Sequence, residues 1–279
     1  MFKILKKTQF SEKVFEYRVH APKLAKKAHA GQFLMVRTCE TGERVPFTFA
    51  NWSPEEGWIE FIFMVIGKTT RCLAELEEGD EIADLTGPLG CPTEIEGDRV
   101  AVVGGGVGLA IAYPVARTMC EEGKKVSVIM GARTKDLLIL FEQFAALPLE
   151  NLFITTDDGT MGEKGVVTLP LERLCETDSI DSTFVVGPVP MMKYSTLTCR
   201  KYKIPIVASL NPIMVDGTGM CGCCRVEVGG ETKFACVDGP DFDASLVDWD
   251  DLAHRQATYL AEEADSIKHH EEDCACHRK

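Results

Sequence analysis

The residues with the clearest chemistry are an aspartate and three cysteines with the spacing D-x4-C-x2-C-x11-C. They are Asp216, Cys221, Cys224 and Cys236. Plant-type [2Fe–2S] sites use C-x4-C-x2-C and a distant fourth cysteine, so an aspartate stands here in the first position. A carboxylate and a thiolate each offer one anionic donor atom to a ferric ion, which makes the exchange chemically allowed. The pattern predicts a metal cluster that moves single electrons.

Glycines occupy three positions among these candidate ligands. They are Gly217, Gly219 and Gly222. Because glycine adopts positive φ without penalty, they predict a backbone that curls tightly around a small inorganic core.

Two other interpretations of the cysteines remain open. One is a structural zinc held by four thiolates, with Cys223 added to the three cysteines of the motif, and the other is a set of ordinary reduced thiols. Zinc ribbons usually have two C-x2-C knuckles, whereas this segment has one, from Cys221 to Cys224. That pair already has the expected spacing, so Cys223 is predicted not to be a ligand.

A glycine-rich turn is the second motif. It follows the apolar run Arg99–Val103, precedes a helical stretch, and contains Gly104, Gly105, Gly106 and Gly108. A helix N-terminus at such a turn offers free N–H groups to a pyrophosphate. The strict G-x-G-x-x-G pattern fails at Leu109, and the next strand ends at Arg133 without an acidic residue for a ribose hydroxyl. A plain Rossmann dehydrogenase is therefore disfavoured.

Further turns bear on nucleotide binding. Gly187 and Pro188 form a turn at the carboxyl end of another predicted strand, where ligands of open α/β sheets bind. A glycine-rich turn by itself is also compatible with a merely tight turn, but the two turns together favour a nucleotide site. Asp157-Asp158-Gly159 fits a polar turn and a ribose-binding loop equally well.

Two segments of the N-terminal part resemble phosphate and flavin contacts. Arg44-Val-Pro-Phe-Thr48 offers a guanidinium and a hydroxyl, and Gly67-Lys-Thr-Thr70 offers backbone amides at a helix start. The alternative is a strand with a surface arginine, followed by a helix that Thr69 or Thr70 caps. Composition alone favours that alternative.

The elements that must position these motifs change along the chain. Short strands predicted at Lys13–Val19, Gln32–Thr38, Phe47–Asn51, Trp58–Ile66 and Glu81–Leu85, with a helix at Thr70–Leu76, indicate a small barrel. Strands at Arg99–Val103, Lys125–Met130, Leu152–Thr156 and Phe184–Val186 alternate with helices to about Glu122, at Asp136–Ala146 and at Pro190–Tyr202. Such alternation predicts a doubly wound parallel sheet.

The predicted fold is thus an antiparallel β-barrel plus an α/β domain and a small cluster segment. We place the barrel at residues 1–96, the α/β domain at 97–205, the cluster segment at 206–245 and a polar tail, helical and then disordered from His269 onward, at 246–279. In that tail, Cys274, Cys276 and His277 fit a solvated end better than a metal site.

Composition excludes several classes of function. The 279 residues are 45% hydrophobic and 26% charged, as in ordinary globular proteins, and the net charge of −13 argues against nucleic acid and anionic membranes as partners. No apolar run is long enough for a membrane helix, and the N-terminus does not resemble a signal peptide. Twelve cysteines in a chain expected to be cytoplasmic indicate metal or redox use rather than disulfides.

Seven segments, in this order, resemble the ferredoxin–NADP reductase superfamily. The matching branch contains the electron-transfer subunits of dihydroorotate dehydrogenase and the small subunits of NADH-dependent ferredoxin:NADP oxidoreductases. The segments are 45–48, 67–70, 87–90, 102–108, 156–159, 187–192 and 209–222, and the last is very specific. The resemblance covers about residues 1–245.

The resemblance implies FAD on the barrel, NAD(H) on the α/β domain and a [2Fe–2S] cluster near the C-terminus. It implies an oxidoreductase subunit that passes electrons between NAD(H) and a larger iron–sulfur flavoprotein that binds NADP(H) and ferredoxin, by flavin-based electron bifurcation. The expected cofactor-binding residues are Val45, Pro46, Phe47, Thr48, Ile62, Phe63, Met64, Gly67, Thr69, Thr70, Gly104, Gly105, Gly106, Gly108, Asp157, Gly187 and Pro188, with Asp216, Cys221, Cys224 and Cys236 on the metal.

The chain departs from the family pattern at three places. Arg44 lies one residue too far from Thr48, and Val45 takes the usual arginine position, which leaves a phosphate role of Arg44 open. Val186 replaces the cysteine usual before Gly-Pro. Asp216 resembles the ferredoxin:NADP oxidoreductase branch, since dihydroorotate dehydrogenase subunits carry cysteine there. There are two alternative functions. One is an electron-transfer subunit of dihydroorotate dehydrogenase or of another dehydrogenase, and the other is a zinc-stabilised interaction module.

Overall fold

The computed structural model describes residues 1–273, with side chains described through Lys268. Cys274, Cys276 and His277 of the predicted tail lie outside the described residues. No helix within residues 1–273 combines the length and the apolar character that crossing a bilayer requires.

The N-terminal third forms two antiparallel sheets around one core. A five-stranded sheet has the order β5-β6-β2-β1-β7, and a three-stranded sheet has the order β4-β3-β8. The strands are β1 (Phe2–Ser11), β2 (Val14–His20), β3 (Phe33–Arg37), β4 (Arg44–Thr48), β5 (Asn51–Ser53), β6 (Trp58–Met64), β7 (Glu81–Ile82) and β8 (Asp84–Leu89), with helices α1 (Pro22–Ala25) and α2 (Lys68–Ala74).

The predicted strand Phe47–Asn51 is wrong, because the chain changes sheets within it. β4 ends at Thr48, and β5 begins at Asn51 in the other sheet. Phe49 and Ala50, at 0% and 2% exposure, fill the corner between the two sheets. A continuous apolar run in the sequence does not reveal such a corner.

The next part of the chain forms a seven-stranded sheet of order β12-β11-β10-β9-β13-β14-β17. Its pairings are parallel except that of β17 with β14. The elements are β9 (Arg99–Gly105), α3 (Leu109–Glu121), β10 (Lys125–Ala132), α4 (Phe141–Ala145), β11 (Asn151–Thr156), β12 (Glu163–Lys164), α5 (Thr168–Glu176), β13 (Ser182–Val186), α6 (Val189–Tyr202), β14 (Ile206–Ser209) and β17 (Asp241–Asp243). Separate apolar cores cover its two faces, which confirms the doubly wound α/β architecture.

Two sequence-based expectations for this part need correction. The predicted helix Asp136–Ala146 is a short 3-10 turn at Lys135–Leu137 followed by α4, because Leu140 takes a left-handed conformation at φ 60°. The helix α5 was not predicted, although Leu171, Leu174 and Cys175 form a buried helical stripe.

The chain after β14 carries the cysteine loop and returns to the sheet as β17. A hairpin of β15 (Arg225–Val228) and β16 (Glu231–Phe234) lies within it, and α7 (Trp249–Gln256) and α8 (Leu260–Asp273) end the described chain. The sheet thus uses strands from the predicted cluster segment, and our domain boundaries remain a prediction. Disorder predicted from His269 onward is wrong as far as Asp273, because α8 continues to that residue.

Candidate functional site

A cavity of 1740 Å³ lies between the barrel and the parallel sheet. The barrel contributes β4, the end of β6 and the start of α2, and the sheet contributes the carboxyl ends of β9, β10, β11 and β13. Single-ligand pockets usually measure about 300–1,000 Å³, so this cavity has room for more than one ligand. Its position at the carboxyl ends of the strands is where open α/β sheets bind ligands.

All of the predicted cofactor-binding residues except Gly104 line this cavity. Fold and cavity thereby bring together residues more than 100 positions apart in the chain. Whether each one contacts a cofactor remains a prediction. The lining members of the predicted set are Val45, Pro46, Phe47, Thr48, Ile62, Phe63, Met64, Gly67, Thr69, Thr70, Gly105, Gly106, Gly108, Asp157, Gly187 and Pro188.

The glycines of the turn after β9 have different roles. Gly106 has φ +56°, and a Cβ there would meet no atom within 4 Å, so this position faces open cavity space. A Cβ at Gly104 would lie 2.8 Å from Cδ2 of Leu109, and one at Gly108 would lie 2.6 Å from the carbonyl oxygen of Val186. Gly104 and Gly108 permit close helix–strand packing, and Gly106 leaves room for a ligand.

The threonines at the start of α2 already have partners within the protein. The Thr70 hydroxyl accepts hydrogen bonds from the backbone N–H groups of Ile66 and Gly67, each at 3.0 Å. The Thr69 hydroxyl donates to Oε2 of Glu43 at 3.4 Å. The N-cap residue is Gly67, not Thr69 or Thr70 as the alternative interpretation expects, and Thr70 bonds back to it from the third helical position. Thr70 also lines the cavity.

At the sheet side, a turn after β11 is held against the end of β10. The Asp157 backbone N–H donates to the Ala132 carbonyl at 3.1 Å, and Asp158 accepts from Thr160 at 3.0 Å. Hydrogen bonds from the Thr160 hydroxyl and N–H lower the pKa of Asp158. Asp157 and Arg133 line the cavity here, so this turn and the end of β10 place a carboxylate and a guanidinium at the cavity wall.

The cysteine loop owes its shape to the hairpin that separates two of its cysteines. Cys224 immediately precedes β15 and Cys236 follows β16, so strand pairing brings them together with their Sγ atoms 3.2 Å apart. Both are 2% exposed. Burial, reinforced by the neighbouring thiol of Cys224, raises the pKa of Cys236. A cation at this point would stabilise the thiolate forms.

The other two predicted ligands lie on the exposed side of the loop. Cys221 is exposed, and the Asp216 carboxylate accepts hydrogen bonds from the Thr218 N–H at 3.0 Å and from the Thr218 hydroxyl. These hydrogen bonds lower the pKa of Asp216, and the charge of Arg44 acts in the same direction. Positive φ angles let the loop fold back on itself, at Gly217, Gly219 and Gly222 (81°, 84° and 66°).

The four predicted ligands form one close pair, Cys224 and Cys236, and two donors on the exposed side of the loop, Cys221 and Asp216. Among residues 1–268, no group of three or more histidine, cysteine, aspartate or glutamate side chains converges as a site for a metal ion. A structural zinc requires four donors around one point. A [2Fe–2S] cluster has two irons, each with two protein ligands, and so accepts donors that are more widely spread.

The cavity and the cysteine loop share a wall. Phe33 and Met214 line the cavity, and both also belong to the apolar cluster that contains Cys224 and Cys236. The wall of the cavity and the thiols therefore belong to one apolar cluster. Sequence patterns gave no signal for this juxtaposition, because β3 and the cysteine loop are about 180 residues apart.

Sequence reasoning also missed the C-terminal contribution to the cavity. Tyr259 and the first turns of α8, with Glu262, Glu263 and Ser266, line its outer part. The acidic, weakly amphipathic stretch predicted a helix but gave no indication of where it would lie.

Comparison with known proteins agrees with this geometry. Residues 211–248 match the family model of the iron–sulfur cluster binding domain of dihydroorotate dehydrogenase B. The chain is 48% identical to the dihydroorotate dehydrogenase B (NAD(+)) electron transfer subunit homolog of Thermotoga maritima, over 93% of this chain and 92% of that one. It is 33% identical to the electron transfer subunit of Desulforamulus reducens, over 82% and 90% of the two chains.

Solved structures give the same result. A chain of the NADH-dependent reduced ferredoxin-NADP oxidoreductase, studied for flavin-based electron bifurcation, superposes with a TM-score of 0.90 at 47% identity, over 96% of this chain and 97% of that one. A ferredoxin reductase of carbazole 1,9a-dioxygenase shares the fold, with a TM-score of 0.64 at 22% identity over 74% and 67% of the chains. The chain belongs to the family of dihydroorotate dehydrogenase B electron transfer subunits and their homologues, which has the ferredoxin–NADP reductase fold.

Proposed function

We propose that this protein is an electron-transfer flavoprotein subunit that passes electrons between NAD(H), FAD and a [2Fe–2S] cluster to a larger partner. The observation that carries the proposal is the shared wall of Phe33 and Met214 between the large cavity and the cysteine loop. A flavin in the cavity and a cluster on the loop would be close neighbours.

The barrel side of the cavity fits a flavin. Val45, Phe47 and Ile62 present apolar surface, and Thr48 presents a hydroxyl at the edge of the same wall. An apolar slot with a few polar groups is the usual form of such a site. The backbone N–H groups of the first turn of α2, which begins at Lys68, are the donors expected to meet phosphate.

The sheet side fits a dinucleotide. The open position at Gly106 lets a pyrophosphate approach the backbone before α3, and Gly187 and Pro188 border the same space. When bound, FAD would take a hydride from NADH and release the two electrons one at a time, chemistry that belongs to the cofactors. The protein supplies their relative placement.

The partner is proposed to be a larger iron–sulfur flavoprotein that binds NADP(H) and ferredoxin, as the similarity to the NADH-dependent oxidoreductase chain suggests. A dihydroorotate dehydrogenase catalytic subunit is the second candidate, because several relatives are named as electron transfer subunits of dihydroorotate dehydrogenase B. Asp216 favours the first candidate. Identification of the chain that co-purifies with this protein distinguishes the two.

Anaerobically purified protein is expected to contain one FAD and two irons per chain and to show flavin and [2Fe–2S] absorption bands. NADH should bleach the flavin band faster than NADPH does, and stopped-flow absorption measures both rates. A purified protein that contains zinc and shows no visible absorption bands would contradict the proposed function. Faster reduction of the flavin by NADPH than by NADH would contradict the assignment of NADH.

Asp216→Cys is expected to retain the cluster and to change its reduction potential and electron paramagnetic resonance spectrum, since a soft thiolate replaces a hard oxygen donor. Asp243→Cys is a matched control, because Asp243 accepts from Ser245 N–H and hydroxyl in the same way that Asp216 accepts from Thr218. A spectrum and potential unchanged in both variants would mean that Asp216 only shapes its turn.

A further inference from the structure

The outer face of β3 receives the cysteine loop. Leu34 and Val36 point into the barrel and are fully buried there, whereas Phe33 and Met35 pack with Cys224 and Cys236 on the opposite face. Side chains alternate across a strand, so Arg37, the next residue of the odd series, belongs to the same outer face.

Three charged residues cross this face in one row. Strand register places Arg37 opposite Arg44 on β4 and opposite Asp84 on β8. Nη2 of Arg44 lies 3.1 Å from Oδ2 of Asp84, and Nη2 of Arg37 lies 3.8 Å from the same oxygen. Two guanidinium groups thus share one carboxylate, and the row carries one net positive charge.

Arg44 does not contact the cavity in which FAD is proposed to bind. Its neighbours Glu43 and Val45 line the cavity, and Arg44 is absent from that lining. Its guanidinium is instead paired with Asp84 on the face that receives the cysteine loop. The arginine next to the flavin motif is therefore placed to act on the loop.

The loop approaches this face next to its aspartate. A Cβ on Gly217 would lie 2.8 Å from Cγ of Met35 and 3.0 Å from Cδ1 of Leu89, so the backbone at Gly217 lies directly on the face. Met35 and Arg37 are consecutive on that face, and Asp216 is the neighbour of Gly217.

We propose that Arg44, held by Asp84, is a positioning residue that tunes the reduction potential of the cluster held through Asp216. The inference rests on the proposed function. One-electron reduction adds a negative charge to the cluster, and a nearby cation stabilises that reduced form. Arg44 is 42% exposed at its side chain, so salt should weaken the effect.

The test is a redox titration of the full chain, followed by electron paramagnetic resonance at low and high salt. Arg44→Gln is expected to shift the midpoint potential of the cluster to a more negative value, and Asp84→Asn to a more positive one. Arg44→Lys should keep the wild-type potential because it keeps the charge. Arg173→Gln is the matched control, since Arg173 also pairs with a carboxylate at the surface, 2.6 Å from Glu163, and should cause no shift.

Iron and flavin analyses distinguish the possible failures. Wild-type protein without a cluster would overturn the proposed function itself. If Arg44→Gln and Asp84→Asn both contain the cluster and its midpoint potential equals the wild-type value, only the role of Arg44 is overturned. Loss of FAD in Arg44→Gln, with an unchanged cluster potential, would instead assign Arg44 to the flavin phosphate. If Arg44→Gln fails to load its cluster, the shift in Asp84→Asn still decides the inference.

Discussion

Cys236→Ser and Cys224→Ser are each expected to abolish the [2Fe–2S] cluster, whereas Cys223→Ser should retain it. The thiols of Cys224 and Cys236 lie 3.2 Å apart inside an apolar cluster. A serine hydroxyl at either position would be a weaker metal ligand than the thiolate. Cys221→Ser should also lose or damage the cluster, because Cys221 completes the C-x2-C pair. Iron content and visible circular dichroism of the purified variants measure the loss.

Cys223→Ser is the matched control in this series. It changes the same atoms one residue away from Cys224, and the backbone carbonyl of Cys223 keeps its hydrogen bond from Nη2 of Arg255 at 3.2 Å. Flavin content should remain at the wild-type level in every variant, because the cavity residues are unchanged. If Cys223→Ser loses iron while Asp216→Ala keeps it, the ligand set proposed here is wrong.

The second large effect is expected at the nucleotide site, where Gly106→Val should weaken NADH binding and slow flavin reduction by NADH. The new side chain would enter open cavity space in front of α3 and exclude a phosphate from the backbone N–H groups. Loss of one hydrogen bond to a charged group costs about 1.5–3 kcal/mol, which corresponds to roughly ten- to hundredfold in affinity. Stopped-flow bleaching of the flavin over a range of NADH concentrations measures both rate and affinity.

Gly123→Val is the control for backbone strain. Gly123 also has positive φ, +83°, with no atom within 4 Å of its Cβ position, but it follows α3 and does not line the cavity. Both variants carry the same kind of backbone strain, so an effect seen only in Gly106→Val reports a change in ligand binding. Dithionite reduction, FAD content and iron content should stay unchanged. If NADH reduces the flavin of Gly106→Val with the wild-type rate and affinity, the turn after β9 does not bind the phosphate groups of NADH.

Local signals in the sequence determined the classes of site and the general fold. The spacing of Cys221 and Cys224, the glycines with positive φ between the ligands and the turn after a buried strand depend only on neighbouring residues. The apolar patterns of the strands and helices likewise indicated the barrel and the doubly wound sheet. Each pattern gathers apolar side chains on one face of its element, and that face is then buried.

The tertiary structure decided which distant residues meet, since that depends on strand register and on how sheets pack. The hairpin after Cys224 places Cys236 at the same point. The corner at Phe49 separates two sheets, and the registers of β3 with β4 and β8 place Arg37, Arg44 and Asp84 in one row. A register shift of one residue would send the side chains of a strand to the opposite face of its sheet, and no local pattern in the sequence fixes that register.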